Sequence, residues 1–167
     1  MRFVFFSSII LLGLLISTGC ESENVPHIPK PSTTIVLTKS GEMMNENTFW
    51  KLIDQSLKAT SNQDVQAAYL TQELEKCSPK QIIGFRLRTD KLLYDTYTSN
   101  MCCAGYLLNG GCSDDSFEYF RCWVISRGKE TYYAAKKNPD SLVKEYNPEN
   151  EFYDFEDFWY VANDAFE

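Results

Sequence analysis

Residues 110–128, GGCSDDSFEYFRCWVISRG, decide the fold of this chain. Gly110 and Gly111 suit the end of one helix, where the left-handed backbone conformation penalises a side chain. Ser113 is a good N-cap for the next. Asp114 and Asp115 then fall in the first turn, where unpaired N–H groups and the helix dipole favour anions. Gly128 closes this second helix about four turns later. Phe117, Phe120 and Val124 recur with a helical period and define a buried stripe. Arg121 lies on that stripe, so its guanidinium needs a carboxylate or carbonyl partner to offset the cost of burial. Asp114 shares its azimuth but sits about 10 Å away along the axis, which leaves a partner on another helix equally open.

Helical patterns continue on both sides. Asn47 or Thr48 caps a first helix with Phe49, Trp50, Ile53 and Leu57 on one face. Ser61 or Asn62 caps a second, with Val65, Ala68, Tyr69 and Leu74 directed inward. Ser78-Pro79-Lys80-Gln81 combines an N-cap Ser, a Pro in the first helical position and a Gln three residues after the cap, and predicts a helix from Pro79 to about Tyr97. Arg86, Arg88, Asp90 and Lys91 of that helix fall mostly outside. Met101 to Leu108 (MCCAGYLL) is apolar all round and rich in small residues, the pattern of a buried central helix that lets its neighbours approach closely. A helix from Lys129 to Lys137 is stopped by Asn138-Pro139. Asp140 or Ser141 opens a short helical turn, and a last amphipathic helix runs from about Phe155 to Phe166. The expected fold is all-α, a single compact domain of about six to seven helices, with no strand-period run and no internal repeat.

The motifs GGCSDD, FRCW and PDSL occur in that order, after an amphipathic FWKLID opening. Their order and spacing resemble the bacterial family catalogued as domain of unknown function 4240, over roughly Met44 to Glu167. The resemblance implies a small helical domain and brings no established activity with it.

The N-terminus carries the clearest functional signal. Met1-Arg2 is a minimal positive start, Phe3 to Ile16 is an apolar run broken by Ser7, Ser8 and Gly13, and Ser17-Thr18-Gly19-Cys20 follows. The run is short for a membrane span, which takes about 20 residues, and the small residues before Cys20 suit a signal peptidase. The arrangement resembles the lipobox of bacterial lipoproteins, in which Cys20 would be acylated and become the first residue of the mature chain. Ser17 stands where that pattern usually has Leu. Residues 1–19 are thus expected to be a lipoprotein signal peptide and residues 20–43 a flexible tether rich in proline, with residues 44–167 forming the helical domain. The tether could reach about 80 Å fully extended. Glu21, rather than Asp, after the cysteine resembles lipoproteins sorted to the outer membrane, should the host be Gram-negative.

The chain has 167 residues and a net charge of −7, which becomes −8 when residues 1–19, holding only Arg2, are removed. Such a domain is large enough to fold without disulfides, and its acidity argues against a nucleic-acid partner. The one histidine, His27, lies in the tether, so the domain lacks an imidazole for a catalytic triad, a Cys–His dyad or a metal site. No phosphate-cradling glycine motif occurs. No cofactor and no metal are therefore expected, and no catalytic residue can be assigned.

Asp114, Asp115, Arg121 and Trp123 form the motif to weigh for a functional or a structural role. The two aspartates point about 100° apart on a helix, which favours an N-terminal charge cluster with a buried Asp–Arg pair over a convergent site. Five cysteines follow Cys20: Cys77, Cys102, Cys103, Cys112 and Cys122. They read mainly as small buried hydrophobes, with one structural disulfide involving Cys112 or Cys122 as the rival and no pairing chosen. The acidic-aromatic run from Glu149 to Tyr160 reads as core of the last helix rather than a partner face. The expected function is an exported, membrane-anchored lipoprotein acting as a binding module for an envelope protein or peptide. The alternative is a hydrolase using carboxylates and arginine on an envelope substrate, for which Asp114 or Asp115 would need a second carboxylate across a cleft.

Overall fold

The computed structural model describes residues 42–167. The expected signal peptide, Cys20, His27 and the tether as far as residue 41 lie outside the described residues. Within them the chain is all-α: seven α-helices and one 3-10 segment, with no strand among the described residues.

Helix α1 spans Glu46–Ala59 and buries Phe49, Trp50, Ile53 and Ser56. Its cap is Asn45, earlier than the expected Asn47 or Thr48, because the Asn45 carboxamide oxygen accepts from the Asn47 and Thr48 N–H groups at 2.9 and 3.4 Å. Helix α2, Gln63–Glu75, is capped by Asn62, whose side chain accepts from Val65 N–H at 3.0 Å. Its inner face differs from expectation. Gln66, Ala67, Leu70 and Leu74 are buried, whereas Val65 and Ala68 are exposed and Tyr69 is half-buried. The reason is Gln66, whose amide donates to the Ser56 hydroxyl at 3.0 Å and the Ser126 carbonyl at 3.1 Å. A polar residue with buried partners turns the helix away from the face that hydropathy selects.

Helix α3, Pro79–Asp95, starts where the Ser-Pro-x-Gln pattern predicts, and the Gln81 side chain accepts from the Ser78 N–H at 2.9 Å. It buries Ile82, Gly84, Phe85, Thr89, Leu92 and Leu93. Arg86 and Arg88 are half-buried rather than outside: Arg86 donates to the Trp159 carbonyl at 2.9 Å and lies 3.7 Å over the Trp159 ring, and Arg88 donates to the Met44 carbonyl at 3.0 Å.

Helix α4, Ser99–Asn109, is capped by Thr98 and ended by Gly110 at φ 70°. The sequence marks it as the buried central helix, and the structure reverses that assignment. Only Met101 and Gly105 are buried, while Cys103, Tyr106 and Leu107 are exposed. The close approach expected of its small residues is retained at Gly105, where an added Cβ would sit 3.0 Å from the Phe120 ring. The central helix is α5, Asp114–Ser126, which packs against α3, α4, α6 and α7 and buries every residue from Phe120 to Ser126. Ser113 caps it, its hydroxyl accepting from Ser116 N–H at 3.2 Å.

Gly128, at φ 96°, turns the chain into α6, Lys129–Lys137, which buries Tyr132 and Ala135. Asn138 then caps the 3-10 segment Pro139–Glu145, accepting from Asp140 N–H at 3.2 Å. Helix α7, Glu156–Asp164, closes the fold with Phe158, Val161 and Ala162 inward. Of the acidic-aromatic run, Tyr153, Phe155 and Phe158 join the core, whereas Phe152 and Tyr160 stay exposed.

Residues 42–44 are held across α3 at Gly84: Met44 N–H donates to the Gly84 carbonyl at 2.8 Å, and an added Cβ would lie 2.7 Å from the Glu42 carbonyl oxygen. Gly84→Ala gains about 1 kcal/mol of helix propensity but forces this backbone away, at a cost of about 1–3 kcal/mol. The variant is expected to be less stable in urea denaturation and to lose hydrogen-exchange protection at Met44. An unchanged midpoint with Met44 still protected would contradict the packing described.

Candidate functional site

The last carbonyls of helix α3 carry the partial negative charge of its C-terminus, which attracts cations; the cap residue Thr96 gives its N–H to the Leu93 carbonyl at 3.2 Å, and side chains supply the further donors. Two side chains from other helices meet them. Arg121 of α5 donates from Nη1 to the Leu93 carbonyl at 2.7 Å and from Nε to the Phe117 carbonyl at 3.1 Å. Tyr132 of α6 donates its hydroxyl to the Leu92 carbonyl at 2.7 Å. Thr96 adds its hydroxyl, 3.1 Å from both carbonyls. Arg121 is 5% exposed and is flanked by the rings of Phe117 and Tyr97, 4.4 and 5.0 Å from the guanidinium carbon. Burial pulls its pKa down, with nearby Glu118 opposing. The partners of Arg121 are thus carbonyl groups, one on α3 and one on its own preceding turn, and no Asp114–Arg121 ion pair forms.

The four residues of the sequence motif separate. Asp114 and Asp115 are exposed in the first turn of α5. Trp123 is buried on the same helix, with its ring edge-on to Tyr153 at 5.1 Å and stacked near Phe120 at 5.8 Å. Asp114 borders a recess of about 370 Å³ whose other walls include Tyr97, Cys102, Cys112, Ser113 and Phe117. Asp114 is the one carboxylate lining that recess, whereas glycoside hydrolysis uses two.

A second concavity lies where α4 meets the 3-10 segment. It measures about 490 Å³ and is walled by Ala104, Leu107 and Leu108 from α4 and by Pro139, Leu142, Val143 and Tyr146 from the other side, with Asp140 as the charged residue on its lining. Leu107 and Val143 are 75% and 72% exposed, so large apolar side chains face water beside an apolar groove. Concave apolar surface left open to water is the usual mark of a binding site. The sequence carries a signal for this groove in the all-round apolarity of residues 101–108, which reads as burial when no structure is at hand.

Other polar residues that shape the domain leave no trace in hydropathy. Arg127 donates to the Gln66 side-chain oxygen at 2.8 Å, completing the Ser56–Gln66–Ser126 network. Asn109 exchanges two hydrogen bonds with the Tyr153 backbone, at 3.2 and 2.7 Å, and so anchors the end of α4 to the segment before α7. Among the described residues no buried side-chain polar atom lacks a partner. No described helix is long and apolar enough to cross a membrane.

The profile of a family described as "Protein of unknown function (DUF4240)" matches residues 44–167, the whole helical domain. The chain belongs to the DUF4240 family. Among curated proteins and among solved structures, none matches it. The matched span begins at Met44, the residue whose backbone pairs with Gly84, so the DUF4240 domain coincides with the packed unit.

Arg121→Ala in the DUF4240 domain is expected to cost about 2–4 kcal/mol in urea denaturation, since it removes two charge-assisted hydrogen bonds and leaves a cavity. Arg121→Lys should recover part of this, because an ammonium keeps the charge without the planar fork. A loss below about 1 kcal/mol for Arg121→Ala would mean that the α3 carbonyls are satisfied without the guanidinium.

Proposed function

We propose that this protein is an exported bacterial lipoprotein, acylated at Cys20, whose DUF4240 domain binds a peptide segment of an envelope protein in the groove between α4 and the 3-10 segment. The observation that carries the binding role is the open apolar groove itself, with Leu107, Val143 and Tyr146 exposed along it. Its volume of about 490 Å³ falls in the range of sites that take small ligands or several side chains of a peptide. The net charge of −8 that remains once residues 1–19, with Arg2 as their charged residue, are removed from the −7 of the whole chain favours a segment with basic residues flanking its apolar ones, and works against nucleic acid. Anchoring rests on the sequence pattern ending at Cys20. With the tether it places the domain at the membrane surface, the outer membrane in a Gram-negative host. The hydrolase reading is the weaker one, because the recess at Asp114 offers a single carboxylate.

Two experiments test the halves of this proposal separately. Cys20→Ser is expected to abolish incorporation of labelled palmitate and release the protein from the membrane fraction; continued labelling would overturn the lipoprotein assignment. A photo-crosslinking residue placed at Leu107 or Val143 should capture one defined envelope protein in intact cells, and the same residue at the exposed Lys58 of α1 should not. Capture should disappear when the groove is made charged by Ala104→Asp in a variant with an unchanged melting temperature. Equal capture from all three positions, or capture indifferent to Ala104→Asp, would rule out the groove.

A further inference from the structure

The sulfurs of Cys102 and Cys112 lie 3.4 Å apart, in S–H···S contact. Cys102 sits early in α4, and Cys112 lies in the loop between Gly110 and the Ser113 cap of α5. The remaining cysteines are placed otherwise. Cys122 is fully buried, Cys103 points to solvent from the outer side of α4, and the Cys77 sulfur donates to the Glu73 carbonyl at 3.5 Å. We propose that Cys102 and Cys112 are a redox couple that closes to a disulfide and staples α4 to the start of the central helix.

Three features of the surroundings suit that exchange. Both thiols line the recess of about 370 Å³, so a disulfide donor can reach them from solvent. The loop carrying Cys112 can give, since Gly111 has open space around it and Gly110 already holds the left-handed turn. A covalent bond then requires the sulfurs to close from 3.4 Å to about 2.05 Å. Finally, α4 has much to gain: it buries only Met101 and Gly105 fully, and its outer wall carries exposed Tyr106 and Leu107.

The reaction is an exchange with a small-molecule or protein disulfide, RSSR. One of the two thiols, as its thiolate, attacks one sulfur, forming a mixed disulfide and expelling RS⁻, which takes up a proton. The other then loses its proton and attacks the sulfur now in the mixed disulfide, expelling the second RSH. In all, two thiols are oxidised to one disulfide and RSSR is reduced to two RSH. Burial and the Cys102 contact push the Cys112 thiol up to about 11, with Asp114 acting in the same direction and Arg121 against it. The staple fixes the helix that forms one wall of the apolar groove. It requires neither export nor a binding partner.

The test uses the full chain, purified reduced and then equilibrated with oxidised glutathione, with disulfides mapped by peptide mass spectrometry. A Cys102–Cys112 linkage is expected in wild type and in Cys103→Ser, and none in Cys102→Ser or Cys112→Ser. The linked form should melt about 5–10 °C above the reduced form, a difference the latter two variants lack. Hydrogen exchange in α4 should slow on oxidation. The proposal fails if the linkage maps to Cys103, if glutathione adducts persist without closure, or if Cys102 and Cys112 both stay alkylatable. It also fails if the linked and reduced forms melt together.

Discussion

The C-terminus of α3 is the constraint on which the rest of the domain depends. A helix that ends inside a protein exposes carbonyl groups that cannot be left dry and unpaired. Here the Leu92 and Leu93 carbonyls are met from two other helices, by Tyr132 of α6 and Arg121 of α5. Both donors are long side chains with directional hydrogen bonds, so they fix the rotation of α5 and α6 as well as their proximity. The aromatic faces of Phe117 and Tyr97 close over the guanidinium and keep water away. A charge in that position is costly without its partners, and the three helices therefore hold or fail together.

Once α5 is oriented in this way, the remaining helices have defined places. Phe120 and Trp123 face Gly105 and Tyr153, and the Phe155 N–H donates to the Tyr119 carbonyl at 3.0 Å, which leads the chain into α7. Arg86 repeats the device on a smaller scale, binding the Trp159 carbonyl while stacking on its ring, and so ties α3 to α7. At the far end of α5 the Gln66 amide and the Arg127 guanidinium join α2 to the Ser126 carbonyl and hydroxyl. Aromatic packing supplies the bulk of the core, and these arginine and glutamine contacts choose among the ways of packing it.

Elements whose boundaries depend on local chemistry were legible in the sequence. Ser113, Asn62, Pro79 with Gln81, Gly110 and Gly128 all mark helix ends because each acts on backbone groups within a few residues of itself. The buried position of Arg121 was also readable, since it shares a stripe with Phe117 and Phe120. What could not be read was which partner each face meets. Gln66 is polar, so hydropathy turns α2 the wrong way, yet its amide is satisfied by residues 10 and 60 positions distant. Asp114 and Arg121 share an azimuth, but the nearest acceptors for Arg121 lie on its own preceding turn and on α3. Periodicity reports one helix at a time, and long-range hydrogen bonds are invisible to it.

Helix α4 shows the same limit with a functional consequence. Its composition is that of a buried helix, and the assignment of the centre to α4 rather than α5 follows directly from reading apolarity as burial. In the folded domain α5 occupies the centre because its polar and charged residues find partners there, while α4 keeps an apolar outer surface without such a reason. An apolar helix at the periphery is thermodynamically awkward: it gains little from burial and exposes surface that water disfavours. Two features of the chain act on that problem. The groove between α4 and the 3-10 segment gives the apolar surface a shape that another molecule can fill, and the thiols of Cys102 and Cys112 give the helix a second attachment independent of burial. Both act on the same helix from opposite ends. The stiffness of α4 and the shape of the groove are therefore properties of one element, held to the core chiefly through Met101, Gly105 and Asn109.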